Sequence, residues 1–430
     1  MSRLLLILFP AVLLGCAATE ETARDAPEPA PGARGFERQP VLATADSSVR
    51  TVQLYRAGDE ASLPLIAMGS GQMLELEFDL MGNRPRPLSV YFYHADRAWN
   101  RDLVPAEYLT SFHRDDLMDY QSSRATHVDY VHYRYSFPNT GIDFRLSGNY
   151  IVRVTEQGME EDVLLERAFF VSEQAAPIDF VLDNVRNIGD PYPAIQPSVR
   201  FTPPNAGASS AFDYTVCFLR NGRLPTERCA DDPALDYQPA LRYYLEPEDS
   251  FVAEAADYFV DVSNLRPGGR LERVDQLEIP YRVILEPDYF RFPGTAIAPL
   301  QNGQTVVRGA VNSVSEPSTA AEYAWVRFSL VPDNELPVAG RVALVGSFNN
   351  WVPGEAHVMN WVPEAGRYEV DVLLKQGRYE YRYAFSDPAT ARASRGASPR
   401  FDNTISAFVY YDDIRVGTDR LISAVSVVAR

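Results

Sequence analysis

The sequence predicts an all-β chain of tandem immunoglobulin-like or early-set β-sandwich domains, on three observations. Apolar and charged residues alternate with period two in run after run, the pattern of strands with one packed face. Proline and glycine punctuate those runs, as the turns of β-sandwiches require. No segment carries an amphipathic helical pattern long enough to compete.

The chain opens with Arg3 and an apolar stretch from Leu4 to Leu14, broken by Pro10. That stretch is far shorter than the roughly 20 residues needed to span a bilayer core. Residues 1–15 are therefore expected to be a signal peptide. Leu13-Leu14-Gly15-Cys16 resembles the bacterial lipobox, whose cysteine takes a diacylglycerol and becomes the mature N-terminus. Acyl chains at about 0.8 kcal/mol per buried methylene make such an anchor durable. Ala17 after the cysteine, rather than Asp, points to the outer membrane. Residues 16–48, rich in Ala, Pro, Glu and Gly, cannot bury enough surface to order themselves and read as a tether.

The first strand pattern is the plainest. Leu74, Leu76, Phe78 and Leu80 alternate with Glu75, Glu77 and Asp79, which predicts a strand with one wet face. Similar runs lie at 88–94, 130–137, 150–155 and 164–171. Between them, Leu103, Glu107, Leu109 and Phe112 suggest a short helix or ordered loop within 102–120. A polar stretch with Pro177 closes this domain, 49–173. A middle sandwich, 174–300, repeats the style less regularly, with Asn221-Gly222 as a hairpin turn. A last sandwich, 301–430, carries Tyr368, Val370, Val372 and Leu374, a Lys375-Gln376-Gly377 turn, and Tyr379, Tyr381, Tyr383 and Phe385. This predicts a hairpin, with 342–345 and 408–411 as its partner strands.

Composition bounds the function. A formal charge of −18 argues against nucleic acid, which needs basic clusters. Nearly all the positive charge is arginine, and Lys375 is the one lysine. Beyond Cys16, only Cys217 and Cys229 remain. In an exported protein they suggest a disulfide closing a short excursion; the alternative is two separately buried thiols.

Catalytic signatures are missing. The chain has no Gly-x-Ser-x-Gly elbow, phosphate-binding glycine loop, zinc-type cysteine pairs or calcium-loop spacing, so no enzyme, cofactor or metal site is expected. His127, Asp129 and His132 come nearest to a metal cluster, but on one continuous strand His132 would point away from the other two. Asp115, Asp116 and Asp119 read as a solvated loop. Gly346-Ser347-Phe348-Asn349-Asn350-Trp351 resembles the turn of glycogen-binding-type carbohydrate modules. That likeness implies Trp351 and Trp361 as sugar-stacking residues in an alternative reading. The structural reading is that these tryptophans pin the turn to the core, and no second Trp follows Tyr381-Arg382-Tyr383.

Four stretches carry a wider likeness. The first is Val49-Arg50-Thr51-Val52-Gln53-Leu54-Tyr55-Arg56-Ala57-Gly58-Asp59-Glu60, with Ser62-Leu63-Pro64 and Leu76 to Leu80 behind it. His94-Ala95-Asp96-Arg97-Ala98-Trp99-Asn100 follows, with Glu107-Tyr108-Leu109 and Asp119-Tyr120. Then come His132-Tyr133, Pro138-Asn139 and Ser147-Gly148-Asn149-Tyr150. Leu373-Leu374-Lys375-Gln376-Gly377, Tyr410-Tyr411 and Asp419-Arg420-Leu421-Ile422 close the set. From about residue 49 to 424 the chain resembles the plug-protein family of the type IX secretion system. The resemblance implies a protein that closes the periplasmic opening of the outer-membrane translocon barrel when no cargo occupies it. It implies a function by protein–protein binding, with that barrel as partner and the membrane engaged through the lipid anchor.

Overall fold

The protein is described by a computed structural model covering residues 47–186, 193–204, 209–234, 239–252, 258–291, 301–309, 316–394 and 403–429. The expected signal peptide, Cys16 and most of the tether lie outside these residues. Among them no helix is long and apolar enough to cross a membrane.

The chain runs β1 (Val49–Arg56), β2 (Leu65–Ala67), β3 (Leu74–Met81), β4 (Leu88–Ala95), β5 (Arg114–Leu117), β6 (Asp119–Ser122), β7 (Tyr130–Phe137), β8 (Gly148–Glu156) and β9 (Val163–Ser172). These form two facing sheets, β1-β3-β7-β6 and β2-β9-β8-β4-β5. The alternation in β3 drives Leu74, Leu76, Phe78 and Leu80 into the shared core. There Phe92 meets Phe137, Phe144 and Phe169 with ring centroids 4.9, 5.7 and 6.1 Å away. Each such edge-on pair adds about 0.5–1.5 kcal/mol beyond burial. The expected short helix shrinks to α1 (Pro105–Tyr108). It stops because Leu109 turns extended and bridges to Phe144; Phe112 is left 75% exposed.

Next come β10 (Ile178–Arg186), β11 (Pro193–Phe201), β12 (Tyr214–Arg220), β13 (Arg228–Ala230), β14 (Leu241–Tyr244) and β15 (Phe251–Val252). The following strands are β16 (Tyr258–Asp261), β17 (Leu271–Asp275), β18 (Tyr281–Leu285), β19 (Asp288–Tyr289), β20 (Val306–Val307), β21 (Tyr323–Val331), β22 (Val342–Gly346), β23 (Asn360–Val362), β24 (Arg367–Lys375) and β25 (Gly377–Phe385). The last two are β26 (Asn403–Asp413) and β27 (Thr418–Ala429).

The packing units do not follow the expected boundaries at 174–300 and 301–430. β26 and β27 leave the last segment and join β12 and β13 in one sheet, which faces β10, β11 and β14 across a single core. In exchange β16 to β19 leave the middle segment. β16 pairs with β25, while β18 and β19 run parallel to β21. Strand partners here lie from about 42 residues apart, for β19 and β21, to more than a hundred, for β16 with β25 and β12 with β26, and local periodicity carries no information about them.

The expected hairpin at Lys375-Gln376-Gly377 is also corrected. β24 pairs with β21 and β23 in one sheet, whereas β25 pairs with β16, β20 and β22 in the other. The chain therefore crosses the sandwich at Gln376 instead of folding back within one sheet. Gln376 is held by Glu322 through two 2.8 Å bonds, one to its backbone and one to its side chain. Its amide also donates to the Ser263 carbonyl at 2.7 Å. A Cβ on Gly377 would lie 2.6 Å from the Val306 carbonyl oxygen, so only glycine admits β20 there. Of the two expected partner strands, 342–345 does pair with β25, but 408–411 belongs to the middle sandwich.

Candidate functional site

Asp79 was expected on the wet face of its strand, and that face is not wet. The third sandwich covers it, leaving Asp79 1% exposed and Glu77 nearly as buried. Lys375, also 1% exposed, comes across to place Nζ 2.7 Å from the Asp79 carboxylate. The same ammonium donates to the Ser318 carbonyl at 2.6 Å and stands 4.2 Å from the Tyr130 ring centroid. The Tyr323 hydroxyl donates to Asp79 at 2.6 Å, and His132 Nδ1 lies 2.8 Å from its other oxygen. Burial opposes the charge on both partners. At Asp79 the Lys375 ammonium and His132 outweigh it and hold the carboxyl below its usual range. Lys375 is pulled down by its burial, against the pull of Asp79.

Around this pair the two sandwiches are stitched by their ends. Glu322 accepts from the His127 backbone at 2.6 Å and from its ring at 3.0 Å. Gln53 donates to the Thr305 carbonyl at 2.9 Å, and Arg308 pairs with Glu60 at 2.7 Å. The histidines of the weighed metal cluster are thereby spent on different carboxylates, His127 on Glu322 and His132 on Asp79. The aspartates read as a solvated loop instead lie on strands. Asp115 accepts from the Tyr135 hydroxyl at 2.8 Å, Asp116 from Ser89 at 2.9 Å, and Asp119 begins β6.

The opposite face of the first sandwich meets the middle one through apolar contact. Ile151, Ala168, Phe170 and Trp99 form one buried cluster with Cys217, Leu219, Phe408, Tyr410 and Leu421. Phe170 stacks on Phe408 at 4.5 Å, and Trp99 meets Phe170 edge-on at 5.5 Å. Polar contacts rim the patch. Arg97 binds Asp419 at 2.8 Å and Arg420 binds Glu173 at 2.7 Å, while inside the patch the buried Tyr410 hydroxyl donates to Asn149 at 2.7 Å. Trp99 holds a positive φ of 66°, costly for a bulky residue, in a loop closed by Asp96 accepting from the Asn100 backbone at 2.8 Å. Cys217 and Cys229 are joined in a disulfide between β12 and β13.

All three sandwiches meet at Arg223. It extends from the turn at Asn221 and Gly222, both at positive φ, and its guanidinium lies 3.6 Å over the Trp351 ring. Trp351 is only 8% exposed, and its indole donates to the Gly303 carbonyl at 3.0 Å. Trp361 is partly buried against Tyr368 at 5.0 Å. The two tryptophans implied by the sugar-module likeness thus form no exposed row. The Gly346–Trp351 turn instead wedges the third sandwich against the middle one.

The stretches that carry the wider likeness converge on these junctions. Arg97 of the second meets Asp419 of the fourth, and Lys375 of the fourth meets Asp79 of the first. A shared cleft of about 420 Å³ opens beside the meeting point, lined by Arg56, Leu63, Gln72, Thr404, Ser406 and Val425. Sequence reasoning missed Arg223 and the role of Asp79. A lone lysine in so arginine-rich a chain was the available signal for Lys375.

Comparisons with known proteins bear on the same regions. Residues 49–173 match the family model described as the type 9 secretion system plug protein 1st domain. No curated protein matches this chain. Among solved structures, the crystal structure of a hypothetical protein from Parabacteroides merdae ATCC 43184 is 26% identical. The match covers 90% of this chain and 99% of that one, with a TM-score of 0.81. The likeness therefore extends over all three sandwiches, well beyond the matched domain.

Proposed function

We propose, from the match of residues 49–173 to the type 9 secretion system plug protein 1st domain, that this protein closes the periplasmic opening of the type IX translocon barrel. It acts by protein–protein binding and without catalysis, as a lipoprotein anchored at the outer membrane through Cys16. The match over 49–173 is the observation that carries this reading.

The physical argument supports it. A stopper must resist deformation across a wide opening. The first sandwich is gripped on both outer faces, by the Asp79–Lys375 network and by the Phe170–Phe408 cluster, and such close-packed contacts transmit load without yielding. A lipid at Cys16, at the end of the tether, would raise the effective concentration near the pore. Binding is expected to come from broad coverage, so single exposed substitutions should change it little.

The test is outer-membrane permeability in cells whose cargo-delivery step is blocked, so that the barrel stands empty. Loss of this protein should then sensitise them to large antibiotics that the outer membrane normally excludes. Unchanged resistance, together with a barrel that purifies without this chain, overturns the reading. Mass spectrometry of membrane-extracted protein tests the anchor separately, by an acylated N-terminal cysteine.

A further inference from the structure

The two sulfurs of the disulfide stand in opposite environments. Cys217 is fully buried on β12, inside the apolar junction with Phe170 and Phe408. Cys229, directly across from it on the three-residue edge strand β13, is exposed. A carboxylate oxygen of Glu227 and both sulfurs lie within 4.8 Å of one another. Glu227 turns its carboxyl inward, where Trp99 Nε1 donates to it at 3.4 Å. Tyr410 lies within electrostatic reach of Glu227, and the Arg97–Asp419 pair acts on Tyr410 in turn. Asp231 and Asp412 act on Arg97 from its other surroundings.

We propose that this disulfide is a thiol–disulfide exchange site, in which Cys229 is the sulfur attacked and Glu227 protonates the departing Cys217. The reductant is an external dithiol. Its thiolate attacks Cys229 Sγ, the S–S bond breaks, and the electron pair leaves with Cys217 Sγ. Glu227 delivers its proton there, so the products of the step are a mixed disulfide at Cys229, a neutral Cys217 thiol and a Glu227 carboxylate. The reductant's second thiolate then displaces Cys229, and the dithiol ends as its own disulfide, having supplied both electrons.

Burial is what makes the acid necessary. A thiolate left in an apolar junction is poorly stabilised, because burial raises a thiol's pKa, and exchange slows as the leaving group becomes more basic. An adjacent neutral carboxyl removes that obstacle. Burial pushes Glu227 up to about 7, with the Trp99 hydrogen bond pulling the other way, which leaves a proton available near neutrality. The inference does not depend on the plug reading. Its structural consequence falls on the excursion through Leu224 and Glu227 that seats Trp99, since reduction cuts the covalent tie of that seat.

The experiment follows reduction of the full-length protein by dithiothreitol between pH 6 and 9, with rates divided by thiolate concentration. Acid-quenched samples are mapped by mass spectrometry. For the unaltered protein the normalised rate should fall about tenfold as pH rises through 7 and Glu227 loses its proton. Glu227→Gln, which keeps the acceptor for Trp99 but has no proton to give, should be at least about tenfold slower at pH 6 and close to the unaltered protein at pH 9. The trapped mixed disulfide should sit on Cys229. A flat normalised profile in the unaltered protein, equal rates for the two proteins at pH 6, or a mixed disulfide on Cys217 overturns the proposal. The first and third readouts need no variant, so they hold even if Glu227→Gln folds poorly.

Discussion

On one face of the first sandwich, Asp79 and Lys375 meet through a desolvated ion pair with Tyr323 and His132 around it. On the other, Trp99 and Phe170 meet Phe408 by ring contact, with ion pairs only at the rim. The difference lies in how failure spreads. An apolar contact loses stability in proportion to the surface removed. A buried pair has nearly cancelling terms, and removing one partner exposes the whole desolvation cost of the other. The Asp79–Lys375 contact with the third sandwich is thus an all-or-none joint, and the apolar contact with the middle one a graded joint.

The sharpest way to break this comparison is Asp79→Ala. It should cost about 3–5 kcal/mol by leaving a buried ammonium unpaired, read from urea unfolding midpoints. Replacing both partners, Asp79→Leu with Lys375→Met, should recover most of that loss. A double variant as unstable as the single one would show that the site is not an ion-pair joint.

The next effect belongs to the graded joint and depends on pH. Glu227 is raised to about 7 from the ordinary glutamate value of 4.5, so the folded state holds its proton where the unfolded chain has released it. Its contribution is fully present below about 4.5 and is lost as pH rises through about 7. Subtracting the pH–stability curve of Glu227→Gln from that of the unaltered protein isolates this slope. A difference that grows with pH instead would reverse the assignment.

Phe170→Leu should cost only about 1 kcal/mol, because a hydrophobic swap of similar bulk leaves most of the patch intact. A loss matching that of Asp79→Ala would end the distinction between the joints. The smallest effect is none at all. Glucans should not retard the protein in affinity electrophoresis, since Trp351 is buried and Trp361 packs on Tyr368. Retardation abolished by Trp351→Ala would restore sugar binding.

Read from the sequence, period-two alternation placed β3 and β7 within a residue of their observed ends, because which side chain faces inward is a local property of an extended chain. Asn221-Gly222 was equally legible, since only certain residues tolerate two successive positive φ angles. The likeness over 49–173 was legible for the same reason, its residues standing in one continuous stretch. Tertiary structure alone decided the rest. Whether the Asp79 face met water depended on a lysine almost three hundred residues away. Whether Lys375-Gln376-Gly377 turned within a sheet or between sheets depended on Glu322, Ser263 and Val306. Whether Trp351 met sugar or Arg223 depended on a turn in another sandwich. Alternation tells each strand which face is apolar, but hydrogen-bonding edges are chemically alike in every strand, so partners are chosen only when distant segments pack.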